Sequence, residues 1–287
     1  MTLRLWLADL AKGGVLAAVI GLPISAAVLW IMEAAGTAWW LWAWLAWMAI
    51  ILAAQVVVPS LIAPLFNRFE ELKDATLRTR VESLMARAGF ASRGLFVMDG
   101  SRRSAHANAY FTGFGRAKRV VFFDTLLARL AAGEIEAVLA HELGHFKLRH
   151  IRKRLLAMAA LTLAFFALLG WLSTRSWFYT GLAVQPNLVL PNDALALILL
   201  LLAASVFGVF VSPLVAGWSR RDEFEAEAFA SRHADGAALA SALLKLHEDN
   251  ASTLTPDPLY ARFYYSHPPA VERLAALAPA PLATATP

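Results

Sequence analysis

Four stretches of the chain are apolar throughout: residues 13–32, 38–58, 155–172 and 194–218, none of which holds Asp, Glu, Lys or Arg. A helix needs about 20 apolar residues to cross a bilayer core, so the pattern predicts four transmembrane helices. Pro23 and Pro213 fall inside two of them, where neighbouring helices and local helix adjustments re-satisfy the freed backbone groups. A cleaved secretory signal is the alternative for the first stretch, because Arg4 and Lys12 precede it. Its length argues otherwise, since signal cores run to about 7–15 residues and a second span follows quickly.

Between the spans the pattern changes. Segment 73–88 sets Leu77, Val81, Leu84 and Met85 on one helical face, and Gly89 stops it. Segments 95–98 and 119–123, rich in Val and Phe, read as short strands. A further strand or hairpin is predicted around Asn108 to Phe114. Asp124 caps a helix beginning near Thr125, and Gly133 with Glu134 opens the next one. The predicted organisation is a membrane hairpin over 1–58, a water-exposed segment over 59–154, a second hairpin over 155–218, a second water-exposed segment over 219–278 and a disordered tail over 279–287.

Composition agrees with a membrane protein. Of 287 residues, 59% are hydrophobic and only 16% charged, against about 45–50% and about 25% in soluble domains. Lys and Arg crowd into 59–154, while residues 33–37 have none and 173–193 only Arg175. Positive loops stay inside, so both termini and the long middle segment are expected on the cytoplasmic side; the Ala- and Leu-rich composition points to a bacterial inner membrane. Trp39, Trp40, Trp42, Trp171 and Trp177 would form an aromatic belt at the opposite interface. This topology accounts for the pI of about 9.7 without nucleic acid. With no cysteine, disulfides and thiol chemistry are excluded.

The chemistry gathers in "HELGHFKLRH", residues 141–150. His141 and His145, spaced i and i+4, share one helical face and suit one zinc ion, with Glu142 beside them as general base. His150 lies about half a turn further round an unbroken helix, so it is expected to face away, at an interface or the surface. A catalytic zinc takes three protein ligands. The third is sought in "SRRDEFEAEAFASRHAD", where Glu223 and Glu227 are again i and i+4. One would ligate the metal and the other hydrogen-bond a ligand histidine, while Asp222 and Glu225 point elsewhere. The alternative is a solvated acidic helix balancing Arg220, Arg221 and Arg232. No proline separates His141 from the third span or Trp218 from Glu223. If both helices run on, the zinc sits at the cytoplasmic membrane surface.

The stretches "LIAPLFNRF", "HANAYFTGFGRAKRVVFFDTLL", "VLAHELGHFKLRH", "SRRDEFEAEAFA" and "YYSHPPAVERL" resemble the type I CAAX prenyl protease family of integral membrane zinc endopeptidases. The heat-shock membrane metalloproteases share the zinc motif but match these other stretches less well. The resemblance implies His141, His145 and Glu223 as ligands of one zinc per chain and Glu142 as base. It implies that His267 donates to the oxyanion, that Arg273 and Glu227 support the site, and that Asn108 lies on a strand that pairs with the substrate backbone. The family has Asp where this chain has Glu227. It also has seven spans, of which this chain carries the last four, so the chain is read as a bacterial homologue lacking the first three.

The expected fold is thus mainly α, with four membrane helices and a cytoplasmic zincin-like (gluzincin) catalytic domain containing a small β-sheet. The expected activity is zinc-dependent hydrolysis of peptide bonds near the C-terminus of a membrane-associated peptide or protein, prenylated in the family's manner, with the lipid bilayer as the other partner. Two further readings are a general quality-control protease for membrane proteins and a catalytically inactive, zinc-stabilised scaffold. An intact Glu142 argues against the last.

Overall fold

In the computed structural model of this chain, residues 1–113, 117–249 and 255–277 are described. The first helices are α1 (Leu3–Leu16), α2 (Leu22–Ala34), α3 (Trp39–Val57) and α4 (Ala63–Phe66). Next come β1 (Phe69–Glu71), α5 (Ala75–Arg87), β2 (Ala91–Met98), β3 (Ala109–Thr112) and β4 (Ala117–Phe123). Helices α6 (Asp124–Arg129), α7 (Ala132–Lys147), α8 (His150–Leu172), α9 (Ser176–Gly181) and α10 (Asp193–His233) follow. The chain continues through α11 (Gly236–Asp249), α12 (Pro258–Tyr264) and α13 (Ala270–Leu277). It divides into two compact units, one of residues Met1–Phe66 and Arg152–Phe210, the other of Asn67–Ile151 and Val211–Pro287.

The first unit is helical. Four helices are long and apolar enough to cross a membrane: Leu3–Ala34, Gly36–Phe66, His150–Leu172 and Asp193–His233, each longer than the stretch read from the sequence. Two are joined across a π turn, Ala17–Gly21 and Val58–Ile62. Each turn lies against a proline, Pro23 and Pro59. Proline removes a helix N–H and crowds the carbonyl four residues back, and a widened turn absorbs both defects. A small core packs Met32, Trp39, Ala43, Leu169, Leu172 and Tyr179. Trp39 is therefore a buried packing residue, whereas Trp42, Trp171 and Trp177 are exposed, as residues of an interfacial belt are. Gly170 lets α8 close on α3, since a Cβ there would lie 2.6 Å from Trp40 Cδ1.

The second unit has a mixed four-stranded sheet in the order β1-β2-β4-β3. Strands β2 and β4 run parallel, and β1 and β3 are antiparallel to their neighbours. Strand β1 was not anticipated; it has three residues and is held by pairing Phe69 with Met98 and Glu71 with Phe96. Helix α5 buries Leu77, Val81, Leu84 and Met85, the face predicted from their spacing. Asp74 caps it by accepting from Leu77 N–H at 2.9 Å, and Gly89 ends it at φ +80°, a left-handed angle that glycine adopts freely. These side chains join Val120 and Phe122 of β4 and Leu139 and Leu143 of α7 in one core. Phe114 and the tail 279–287 lie outside the described residues.

Candidate metal centre

Helix α7 presents His141 and His145, and α10 presents Glu223 and Glu227. The two helices approach closely because residue 144 is glycine: a Cβ there would stand 3.1 Å from Ala226 Cα and 3.2 Å from its carbonyl oxygen. The start of α7 is fixed by Glu134, whose carboxylate accepts from Ala131 N–H at 2.8 Å, Ser241 Oγ at 2.6 Å and Lys245 Nζ at 2.8 Å. Burial pushes this carboxyl up, but those three donors outweigh it and hold Glu134 below the ordinary carboxylate value.

At the centre, His141 Nε2 and His145 Nε2 are 3.2 Å apart. Glu223 Oε2 lies 3.3 Å from His141 Nε2, and Glu223 Oε1 lies 3.5 Å from His145 Nε2. These residues form a group able to hold a metal ion. The spacing fits one: a tetrahedral ion with bonds of about 2.0–2.1 Å sets its ligands roughly 3.3–3.4 Å apart. Glu142 is half-buried beside His141. Burial raises its carboxyl above the ordinary value; His141 and Arg273 pull it back and Glu223 pushes it up, and the net shift is upward.

The remaining residues arrive from the C-terminal elements. Arg220 of α10 donates to the carbonyls of Ala261 at 3.2 Å and Tyr265 at 2.7 Å. Ser212 Oγ donates to the carbonyl of Phe263 at 2.9 Å. These bonds seat α12, and the chain beyond it brings His267 Nε2 to 3.5 Å from Glu223 Oε1. His267 is largely exposed, its Nδ1 3.1 Å from Ser266 Oγ. Arg273 of α13 donates from Nε to Glu227 Oε1, with Nη2 3.9 Å from Glu223 Oε2. Asn108, exposed, immediately precedes β3, the edge strand of the sheet. That edge is tied to α7 by Phe111 against Phe146, ring centroids 5.9 Å apart.

Several expectations are corrected here. Glu227 meets Arg273 rather than a ligand histidine; its Oε2 and His141 Nδ1 are buried without hydrogen-bond partners among the described residues. Helix α7 does not run on into the third span. It ends at Lys147, and Arg149 takes a left-handed φ of +62° before α8 starts. His150 is consequently not a surface residue: it is fully buried, with Nδ1 3.0 Å from His145 Nδ1. Asp222 and Glu225 turn away from the centre, as expected, but towards His150 rather than solvent, at 3.8 Å and 3.2 Å from its Nε2. Nothing in the sequence marks Arg149 as a turn residue, so the reversal that buries His150 was hidden. Arg220, read only as a counter-charge, carries the seat of α12.

Comparison with known proteins gives the family. Residues 71–280 match the model of peptidase family M48, and residues 1–68 match the CAAX prenyl protease N-terminal family, described as five membrane helices. A CAAX prenyl protease 1 homolog of Arabidopsis thaliana is 38% identical over 281 residues, 96% of this chain. CAAX prenyl protease 1 of Saccharomyces cerevisiae is 36% identical over 96% of the chain. The chain spans 64% of the length of both relatives. The crystal structure of S. mikatae Ste24p superimposes with a TM-score of 0.88 at 34% identity, covering 96% of this chain and 67% of that one. With 71–280 matched by one family and four helices long and apolar enough to cross a membrane, the chain is an integral membrane protein that belongs to peptidase family M48.

Proposed function

We propose that the chain is a zinc metalloendopeptidase that hydrolyses a peptide bond near the C-terminus of a membrane-associated substrate. The carrying observation is the convergence of His141 Nε2, His145 Nε2 and the Glu223 carboxylate, whose Oε2 and Oε1 stand 3.3 Å and 3.5 Å from the first and second ring, with Glu142 adjacent. Zinc held by those three residues would polarise the scissile carbonyl and acidify a water molecule. Glu142 takes the proton from the attacking water and delivers it to the leaving amine; its raised affinity for a proton suits both transfers. His267, exposed and within 3.5 Å of Glu223, donates to the oxyanion that forms on the substrate. Arg273 holds Glu227 and steadies Glu223 from behind.

Substrate binding follows from the sheet. Strand β3 pairs only with β4 among the described residues, so its other edge offers backbone donors and acceptors to an extended peptide. Asn108 stands at the start of that edge. The relatives named CAAX prenyl protease support a prenylated C-terminal peptide as the substrate class. The Lys and Arg asymmetry of the loops supports a cytoplasmic active site.

The test is Glu142→Gln. It should bind zinc at the level of the unaltered protein and lose hydrolysis of a prenylated CAAX peptide by about 10²–10⁴-fold or more. Cleavage at a tenth of the original rate would refute the assigned base. Equal cleavage of an unprenylated misfolded membrane protein would favour the quality-control reading. Single cysteines at Glu33 or Pro186, in this cysteine-free chain, should react with an impermeant reagent from outside the cell; one at Asp74 should not.

A further inference from the structure

The proposed chemistry leaves His150 unused, yet it is fully buried against the centre. The rings of His141, His145 and His150 follow one another edge to face, with centroids 4.9 Å and 5.2 Å apart. Its Nδ1 is 3.0 Å from His145 Nδ1, and its Nε2 is 3.2 Å from Glu225 Oε2 and 3.8 Å from Asp222 Oδ1. Glu225 is itself braced by Arg221, whose Nε donates to Glu225 Oε1 at 3.1 Å. His150, Asp222 and Glu225 also form a second group with the composition of a metal site.

Proton counting decides between the two uses of this group. Two Nδ1 atoms at 3.0 Å share one proton. If His145 Nε2 is a ligand, the neutral His145 ring carries its proton on Nδ1. His150 Nδ1 must then accept, so the His150 proton lies on Nε2, facing two carboxylates that can take it. Every donor in the row finds an acceptor. If a metal bound His150 Nε2 instead, the His150 proton would move to Nδ1, and His145 would hold its own proton on Nε2. His145 could then not ligate. The two groups exclude one another.

We propose that His150 is the positioning residue of His145. In this reading, which rests on the metal reading above, the row Glu225–His150–His145 locks the tautomer and the ring angle of the ligand and conducts carboxylate charge towards it. The helix break at Arg149 is what makes the row possible, because it returns His150 to the face it would otherwise leave. Groups that hydrogen-bond a ligand histidine from behind raise its basicity and hold its orientation.

The experiment uses the full chain in detergent, with zinc affinity measured against a competing chelator. The absorption spectrum of the cobalt(II)-loaded protein and the melting temperature of the metal-free protein are measured alongside. His150→Asn places an amide oxygen near the position of Nδ1; His150→Gln places its amide near Nε2. The unaltered chain should bind one zinc. His150→Asn should stay within a few-fold of that affinity, while His150→Gln and His150→Leu should weaken it by about 10–100-fold and shift the cobalt spectrum. The Asn and Gln variants are both polar and compact, so their contrast survives if His150→Leu does not fold. Equal affinities and spectra for Asn and Gln overturn the proposal, as does a lowered metal-free melting temperature with unchanged affinity. Two zinc ions per unaltered chain, the second lost in Asp222→Asn, overturn it in favour of a second site. No zinc on the unaltered chain overturns the metal reading first and this one with it.

Discussion

The two units bury their residues in opposite ways. The helical unit keeps large apolar side chains outside: Trp30 is 68% exposed and Leu156 71%, which suits lipid and needs few specific contacts. The other unit, although Leu214 and Leu259 stay exposed, encloses an apolar core around α5, β4 and α7 and buries Glu134, His141, His150, Asp222, Glu223 and Glu227. Buried charge is tolerable only when paired or bound, so nearly every one of these is held by a named partner. The difference teaches that one unit tolerates exchange of like for like over most of its surface, whereas the other is sensitive atom by atom.

That contrast can be broken most sharply at Glu223. Glu223→Ala should abolish metal binding and reduce hydrolysis by several orders of magnitude, while Trp30→Leu in the helical unit should leave both unchanged. Equal metal content in Glu223→Ala would remove it as a ligand. The next effect is on pH. Glu142 must be ionised to accept a proton, and burial raises its proton affinity. The acid limb of kcat/KM should therefore lie above the ordinary carboxylate value, with activity falling about tenfold for each pH unit below it. Arg273→Leu removes a charge that opposes the shift and should move that limb further up; a downward move would show that the charge acts otherwise.

The two close-packed glycines sharpen the comparison in stability. Gly144→Ala presses on the backbone of Ala226, and Gly170→Ala on the side chain of Trp40. Each should cost about 1–3 kcal/mol by thermal or denaturant unfolding. Only the second should be partly rescued by trimming its neighbour, in Gly170→Ala with Trp40→Ala, which removes the Cδ1 and Cγ contacts and leaves the Cβ at 2.9 Å; a backbone cannot be trimmed. Rescue of Gly144→Ala by Phe229→Ala would contradict that reading.

Glu134 gives a similar effect with a pH signature. Its folded proton affinity is lowered, so it contributes stability above the unfolded carboxylate value, and loses it as pH falls through the folded one. Glu134→Gln should cost about 1–3 kcal/mol at neutral pH, with the gap closing in acid. The smallest effect belongs to the membrane helices. Trp44 Nε1 donates to Ala159 O and Thr162 Oγ1, both at 3.2 Å. Trp44→Phe should cost only about 0.6 kcal/mol, and a loss several times larger would mean that the helical unit is less tolerant than its exposed surface implies.

How much was legible in the sequence divides along the same line. The spans were readable because crossing a bilayer is a matter of composition and length, and the structure merely extends them. The meeting of His141 and His145 was readable because side chains at i and i+4 share a helical face, whereas the choice of Glu223 over Glu227 to join them came only from the family resemblance. The buried face of α5 was readable from periodicity. What escaped was whatever depends on a local reversal or a distant partner. His150 was misplaced because Leu148 and Arg149 carry no turn chemistry. Arg149 pays the left-handed penalty of about 1–2 kcal/mol for contacts that exist only after folding. Glu227 was assigned to a histidine because its partner, Arg273, lies 46 residues away on another helix. Strand β1 was invisible because three residues have no periodicity to read.

The π turn at Ala17–Gly21 has a consequence for the lengths that the chain accepts. A π turn holds one residue more than an α turn, so it acts as a spacer in the helix that joins α1 to α2. Deleting one residue there would restore a plain α-helix with α1 facing nearly as before, because the widened turn already absorbs the extra residue; deleting one between Lys12 and the turn would instead swing everything before it by about 100°. The packed residues of α2, Val28, Ile31 and Met32, would stay with their neighbours. In the second case helix α1, which buries no residue, would turn ahead of the deletion and carry Lys12 away from the carbonyl of Leu65 that it now reaches at 2.8 Å. Relatives that lack a single residue in this turn should therefore keep both their α2 contacts and the side chain that meets the end of α4.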